Sequence, residues 1–507
     1  MAMRQTRVEN GMLEGVPAGN RSYTVFRSVP YAAAPVGDLR WRAPVAHDDW
    51  DGVYQAKEFR PIAAQAAEAH PFYSEEFYRC REDMSEDCLY LSVWTPAETP
   101  KEMLPVLVFI HGGAFRSGYH YEITIDGEAL CGQGVVFVSV DYRLGALGYL
   151  AHPELSAETP YHGSGNWGLL DQIAALKWLR RNMAAFGGDP DRITIAGQSA
   201  GAFSVNNIVT SPLIEEADVV GAIMESGGGY GAEGLESIPM LYPKEAEQVG
   251  EEFLRAMGVS SIGEARALPW EKIVAAQERF CAAQGEEFLF SPVVDGYSQL
   301  MKTWEALDRN LQKNIPYMIG TNACENGAND YDTPQSPEEF AAACCRKYGD
   351  KAEDFLSVCG FESDPESAVR GGGLSDLFQP GVLAWLEKMA DKPREKPIWF
   401  YYFSRALPGE RPAGAYHSAE LWYVFQTIHR CGRPLTGLDY DLAVSMNRCW
   451  GNFAKYGDPN GSAQGPWKPY TAASRAAMEF GERIGMVEYP GSARSRRLAD
   501  MILKRHG

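Results

Sequence analysis

The chain lacks a long apolar run: its longest ones, Leu104 to Ile110 and Val135 to Val140, are strand-length and too short to span a membrane. The N-terminal stretch MAMRQTRVENG has no apolar core of a secretion signal, so neither export nor anchoring is expected. Basic charge is in deficit. Against 67 Asp and Glu stand 47 Lys and Arg, and the formal net charge of -20 repels phosphate backbones and anionic lipid, so neither nucleic acid nor membrane is expected as a partner. There is no H-E-x-x-H, no Cys/His ligand spacing and no calcium loop, and neither metal nor cofactor is expected. The ten cysteines include no C-x-x-C and are scattered, with Cys344 and Cys345 adjacent. Free thiols in a reducing, cytoplasmic compartment are the expectation, with Cys80 and Cys88 the one pair close enough to join. Without a secretion signal the sequons at Asn20 and Asn460 carry little weight.

Repeats, low-complexity tracts and long linkers are also missing. The 507 residues, 45% hydrophobic and 22% charged, read as one soluble α/β domain over 1–507 with a mainly helical insertion at about 229–391. Apolar runs of strand length recur at Leu89–Trp94, Val106–Ile110, Val135–Val140, Ile193–Ala196, Ala222–Met224, Tyr317–Gly320 and Ile398–Phe403. Between the third and fourth, Leu169, Ile173, Leu176, Leu179 and Met183 recur at helical spacing. Strands alternating with helices predict a mostly parallel sheet covered on both faces, with its site at the carboxyl ends of the strands. Residues 1–60 suggest small antiparallel strands at a sheet edge. Helices are predicted at Ala246–Met257, Trp270–Ala283 and Pro337–Lys347.

The run Ile193-Thr-Ile-Ala-Gly197-Gln-Ser199-Ala-Gly201 ends a predicted strand in G-x-S-x-G, and Ala200 to Thr210 can open a helix. This is the setting of a nucleophile elbow, whose tight turn leaves no room for a Cβ two residues to either side of the serine. A serine hydroxyl is a weak nucleophile and needs an imidazole base oriented by a carboxylate. On this kind of sheet both follow the serine in the chain. Glu325 lies just past the strand at 317, with Asp330 the competitor further along the loop. Of the later histidines, His417 lies in a Gly-containing loop, His429 in a predicted helix and His506 on the terminal tail. His111-Gly-Gly113-Ala114-Phe115 follows the strand ending at Ile110, so Gly113 and Ala114, with Ala200, are predicted oxyanion donors.

With these pieces in order, the chain resembles the type-B carboxylesterase and cholinesterase family of α/β-hydrolases, particularly its bacterial, para-nitrobenzyl-esterase-like members. The resemblance runs through Phe26-Arg-Ser-Val-Pro30-Tyr31-Ala32, Leu39-Arg-Trp41, Ser85-Glu-Asp87-Cys-Leu-Tyr-Leu91, Asp141-Tyr-Arg143, Asn166-Trp-Gly168-Leu-Leu-Asp171 and Phe186-Gly-Gly-Asp189-Pro. It continues in Glu225-Ser226-Gly227, Pro292-Val-Val-Asp295-Gly296, His417-Ser-Ala-Glu420-Leu421 and Trp450-Gly-Asn-Phe453. It implies an α/β-hydrolase fold and a serine carboxylic-ester hydrolase working through an acyl-enzyme, with Ser199, Glu325 and His417 as triad. Gly113, Ala114 and Ala200 would form the oxyanion hole and Ser226 a supporting buried hydroxyl. It also implies a small-molecule ester as partner, uncharged or aromatic, and a monomer or small homo-oligomer.

The departures from the family pattern are specific. Ala114 stands where the third glycine of HGGG is usual, and its methyl crowds bulky acyl groups. Gln198 replaces the cholinesterase Glu, and Ile62-Ala-Ala-Gln65 lacks the cysteine that secreted members pair with the one here numbered Cys88. The cholinesterase cation-binding tryptophan would fall near Tyr78, so choline esters are disfavoured. Phe115, Tyr119, Phe288, Phe290 and Trp422 are candidate pocket residues, the two later phenylalanines serving equally well as core. Tyr121 and Tyr423 also adjoin the catalytic loops. The G-x-G-x-x-G at Gly229 to Gly234 has no βαβ context and is read as chance. Amide or lactone cleavage by the same triad, and a cholinesterase-like interaction protein, are the alternatives.

Overall fold

The computed structural model describes residues 3–67, 71–77, 82–232, 235–325, 336–349, 352–370, 378–392, 394–409, 414–460, 467–488 and 490–504. Eleven strands form the main sheet: β1 (Val16–Pro17), β2 (Thr24–Pro30), β3 (Tyr90–Thr95), β4 (Leu104–Ile110), β5 (Val136–Val140), β6 (Gly188–Gln198), β7 (Gly221–Glu225), β8 (Tyr317–Asn322), β9 (Ile398–Phe403), β10 (Ala476–Phe480) and β11 (Ile484–Glu488). Their spatial order is 11-10-9-8-7-6-4-5-3-2-1. Every pairing from β5 through β4 and β6 to β10 is parallel, and the antiparallel pairings lie toward the two edges.

The central strands read as unbroken apolar runs because both of their faces are covered. Val106, Val108 and Ile110 enter one hydrophobic cluster and Leu107 and Phe109 the other, as the two-residue period of a strand requires. On the first face lies α1 (Trp167–Asn182), which connects β5 to β6. The buried Arg143 guanidinium, at the end of β5, grips Asp171 on this helix at 2.7 Å through both Nε and Nη2. On the second face, Trp450 and Phe453 of α7 (Gly437–Tyr456) pack against Phe109 and Ala196.

The predicted strands and helices are present, with ends shifted by a few residues. Between β7 and β9 lie α3 (Pro243–Met257), α4 (Trp270–Gln284), the short α5 (Thr303–Asp308) and α6 (Gln379–Ala390), and Phe253 and Phe280 join the first cluster. The C-terminal hairpin β10–β11 was not read from the sequence, because β11 is only partly buried and has no apolar run. Cys88 is buried as a free thiol, and Cys80 lies outside the described residues. Among the described residues no helix is long and apolar enough to cross a membrane.

Parallel strands in register end at one edge. Gly197 pairs with Ile110, Gln198 with Glu225, and Glu225 with Gly320, so the loops after β4, β6, β7 and β8 emerge side by side.

Candidate active site

Ser199 stands between β6 and α2 (Ala200–Thr210) with φ 56° and ψ -124°, a left-handed backbone that an ordinary residue adopts only at a cost. Close packing accounts for the flanking glycines. A Cβ on Gly197 would fall 2.3 Å from Gly201 O, and one on Gly201 would fall 2.0 Å from Ile110 O. The turn is pinned from the neighbouring strand, where Glu225 O accepts the Ser199 N–H at 2.8 Å.

The loops carrying Glu325 and His417 are held together by a parallel bridge between Cys324 and Tyr416, with Cys324 N–H donating to Ala415 O at 3.1 Å. His417 Nδ1 then lies 2.7 Å from Glu325 Oε2. The other carboxylate oxygen accepts from Thr321 Oγ1 at 2.5 Å and Asn322 N at 2.8 Å. Burial pushes the Glu325 carboxyl up, but the bond to and charge of His417, with the Thr321 and Asn322 donors, outweigh it and hold it below the ordinary carboxylate value. The carboxylate therefore stays ionised and fixes the proton of His417 on Nδ1. The Nε2 edge turns toward the elbow, 3.4 Å from Gln198 Nε2, and Phe378 packs on the imidazole at 4.9 Å. Among the described residues no hydrogen bond joins Ser199 Oγ to His417. His429 is exposed on a short 3-10 turn, and Asp330 and His506 lie outside the described residues.

Behind this pair the structure buries two carboxyl groups that sequence reading passed over. Asn322 Nδ2 donates to Glu420 Oε2 at 2.5 Å, and Ser226 Oγ to Glu420 Oε1 at 3.4 Å, so Ser226 reaches the Glu325–His417 pair through Glu420 and Asn322. Glu225 accepts from Trp450 Nε1 at 2.6 Å. Burial raises Glu225 to about 8 against the Trp450 bond, and burial with the neighbouring Glu225 and Glu325 charges raises Glu420 to about 8. Both hold a proton to higher pH than an ordinary carboxyl does. The signal for them lies in the motifs Glu225-Ser226-Gly227 and His417-Ser-Ala-Glu420, whose acidic residues adjoin the serine and the histidine.

The segment after β4 runs through Gly113 (φ 104°), Ala114 (φ 57°) and Phe115 (φ 58°). Gly112 lets it lie against the elbow, since a Cβ there would sit 2.8 Å from Gln198 O. Gln65 secures the far end, accepting the Gly118 N–H at 2.9 Å and donating to Gly118 O at 3.1 Å. Among the described residues the N–H groups of Gly113, Ala114 and Ala200 have no protein acceptor.

A second hydroxyl–imidazole–carboxylate chain exists. Ser92 Oγ is 2.8 Å from His120 Nε2, and His120 Nδ1 is 2.6 Å from Asp141 Oδ2. It is fully buried inside the sheet edge, and Ser92 Oγ already accepts the Ser28 N–H at 3.0 Å. With no space for a substrate it ties strands together.

Past Phe378, which packs on His417, a cavity is lined by Phe115, Phe203, Tyr230, Trp304 and Phe378 among others. Of the five pocket residues expected from the sequence, Phe115 alone lines it. Phe290 packs in the core 4.8 Å from Phe253, and Trp422 stacks on Phe77 at 5.8 Å. Tyr119 is buried against Tyr121, and Phe288 is half-buried outside the cavity. Ring count near a motif did not tell which face each ring presents. Phe203, one helical turn beyond Ser199, was the legible one.

A family model described as the carboxylesterase family matches residues 2–353 and 374–495. The chain is 32% identical over 505 residues to fumonisin B1 esterase of Sphingopyxis macrogoltabida, covering 96% of this chain and 88% of that protein. It is 30% identical to para-nitrobenzyl esterase of Bacillus subtilis, with 93% and 94% covered, and 31% identical to mouse cholinesterase, with 90% and 79% covered. A solved structure of a PNB esterase superposes with a TM-score of 0.83 at 27% identity, covering 98% of this chain and 99% of that one. Matched in sequence and in fold along nearly its whole length, the chain belongs to the carboxylesterase family, with the family's α/β-hydrolase fold and carboxylic-ester hydrolase activity.

Proposed function

We propose that Ser199, Glu325 and His417 are the catalytic triad of this esterase. The observation that carries the reading is the 2.7 Å bond between His417 and Glu325 at the sheet edge where strained Ser199 emerges. Turning about its χ1, the Ser199 hydroxyl gives its proton to His417 Nε2 as Oγ attacks the ester carbonyl. The N–H groups of Gly113, Ala114 and Ala200 receive the oxyanion, each such donor being worth about 3 kcal/mol in the transition state. His417 then protonates the leaving alcohol, and the same nitrogen activates the water that releases the acid. Ser226 supports the pair through Glu420 and Asn322. Apart from the ester and water, every group the steps use belongs to the chain.

The aromatic lining supports small to medium, uncharged or aromatic esters as substrates. Free thiols at Cys88, Cys131 and Cys281 support a reducing, cytoplasmic location. The test is Ser199→Ala: the variant folds as the native chain does but turns over no para-nitrophenyl ester and shows no burst of para-nitrophenol. Activity near the native level would reject the triad.

A further inference from the structure

The cavity changes character along its length. Beside the triad it is aromatic, with Phe378 packed between His417 at 4.9 Å and Phe203 at 5.6 Å. Further along, Lys302 Nζ lies 3.1 Å from Glu236 Oε1, their side chains 9% and 10% exposed, and both residues line the wall. Lys302 is fixed in place. Its backbone N–H donates to Glu305 Oε2 at 2.9 Å, and its ammonium sits 5.1 Å from the centre of the Tyr242 ring. Asn207, on α2 two turns beyond Ser199, also lines the cavity, and its buried Oδ1 has no partner among the described residues.

These groups are expensive to place in a substrate wall. A paired Lys and Glu lose hydration there, and apolar residues of similar volume would commonly serve stability as well or better. An ammonium has three donors, of which Glu236 takes one. A plain alkyl chain filling the cavity would strip water from the Lys302 donors and from Asn207 and return nothing. The pair is neutral in sum, so an arriving carboxylate meets Glu236 and an arriving ammonium meets Lys302. An uncharged group that both donates and accepts meets neither repulsion.

We propose that this end of the cavity is a polar subsite in which Lys302 and Asn207 select esters whose substituent ends in an uncharged hydrogen-bonding group, a carboxamide or hydroxyl, over those ending in alkyl. The assignment rests on the triad proposed above, because that triad makes the cavity the substrate's path.

The experiment compares kcat/KM for matched esters ending in methyl, carboxamide, carboxylate or trimethylammonium. The terminal group is carried on the acyl side in one series and on the alcohol side in the other, at graded chain length. In one series the native enzyme prefers carboxamide to methyl by about tenfold or more, the discrimination a buried polar contact provides. The ratio collapses toward one in Lys302→Met and in Asn207→Leu, each checked for folding by thermal melting. Glu236→Gln, which leaves the ammonium unopposed, moves preference toward the carboxylate. A native ratio at or below one, a ratio retained in both variants, or native preference for either charged ester would overturn the subsite while leaving the triad standing. Absence of turnover on all four esters would instead reject the triad, for which Ser199→Ala is the control.

Discussion

The Nδ1 nitrogen of His417 and the Oε2 oxygen of Glu325 stand 2.7 Å apart across 92 residues of chain. That contact sets which imidazole nitrogen keeps its proton and leaves the Nε2 lone pair on the serine side. The carboxylate can do this because Thr321, Asn322 and His417 together outweigh the burial that would neutralise it.

Replacing Glu325 by Gln keeps the volume but removes the charge and the tautomer preference. The expected result is a fall in kcat of about 10³ to 10⁴ with KM little changed. Steady-state kinetics on a para-nitrophenyl ester decides; a loss below tenfold would mean another acid orients His417.

Ala114 holds φ 57°, a region that costs an L-residue about 1 kcal/mol more than glycine. Ala114→Gly is therefore expected to raise stability by up to about 1 kcal/mol and to improve turnover of branched acyl esters, as the methyl leaves the proposed oxyanion loop. Denaturant melts and a series of acyl branching test both, and a lower midpoint with unchanged selectivity would contradict the strain argument.

Glu225 is raised to about 8 by burial. A carboxyl with a folded value above its unfolded one binds more protons in the native state as pH rises from about 4.5 to about 8, so its contribution to stability is lost across that window. Glu225→Gln cannot ionise and should gain on the native chain by up to about 4 kcal/mol at pH 9 compared with pH 5. Parallel urea melts at the two pH values report the difference; equal offsets at both would show that Glu225 does not hold its proton.

Ser92→Ala deletes the hydroxyl of the buried Ser92–His120–Asp141 chain. Ester turnover per folded molecule should stay within about twofold of native, while stability falls by about 1 to 3 kcal/mol because the Ser28 N–H and His120 lose a partner. An inactive but fully stable variant would give this chain a catalytic role.

The strands were legible because the central sheet is covered on both faces, so that Leu104–Ile110 is apolar throughout and Val136–Val140 apolar but for the buried Ser139. The hairpin β10–β11 was not, since its outer strand is half exposed and its pattern is weak. At the site, G-x-S-x-G and H-G-G were readable because backbone crowding dictates residue type: Gly201 cannot carry a Cβ 2.0 Å from Ile110 O. Whether Phe290 and Trp422 face core or cavity was open in the sequence, because an aromatic ring beside a motif faces either according to packing that no local pattern records.

By itself the sequence determined most of the strand and helix series, the elbow and the H-G-G turn, because each is a local demand of backbone geometry on residue type. Only the tertiary structure decided that Glu325 meets His417, that Ser92 lies sealed in the interior, that Glu225 and Glu420 share the ground behind that pair, and that Lys302 and Glu236 stand in the cavity wall. Those are meetings of residues far apart in the chain, and the packing of the whole sheet and its insertion sets them.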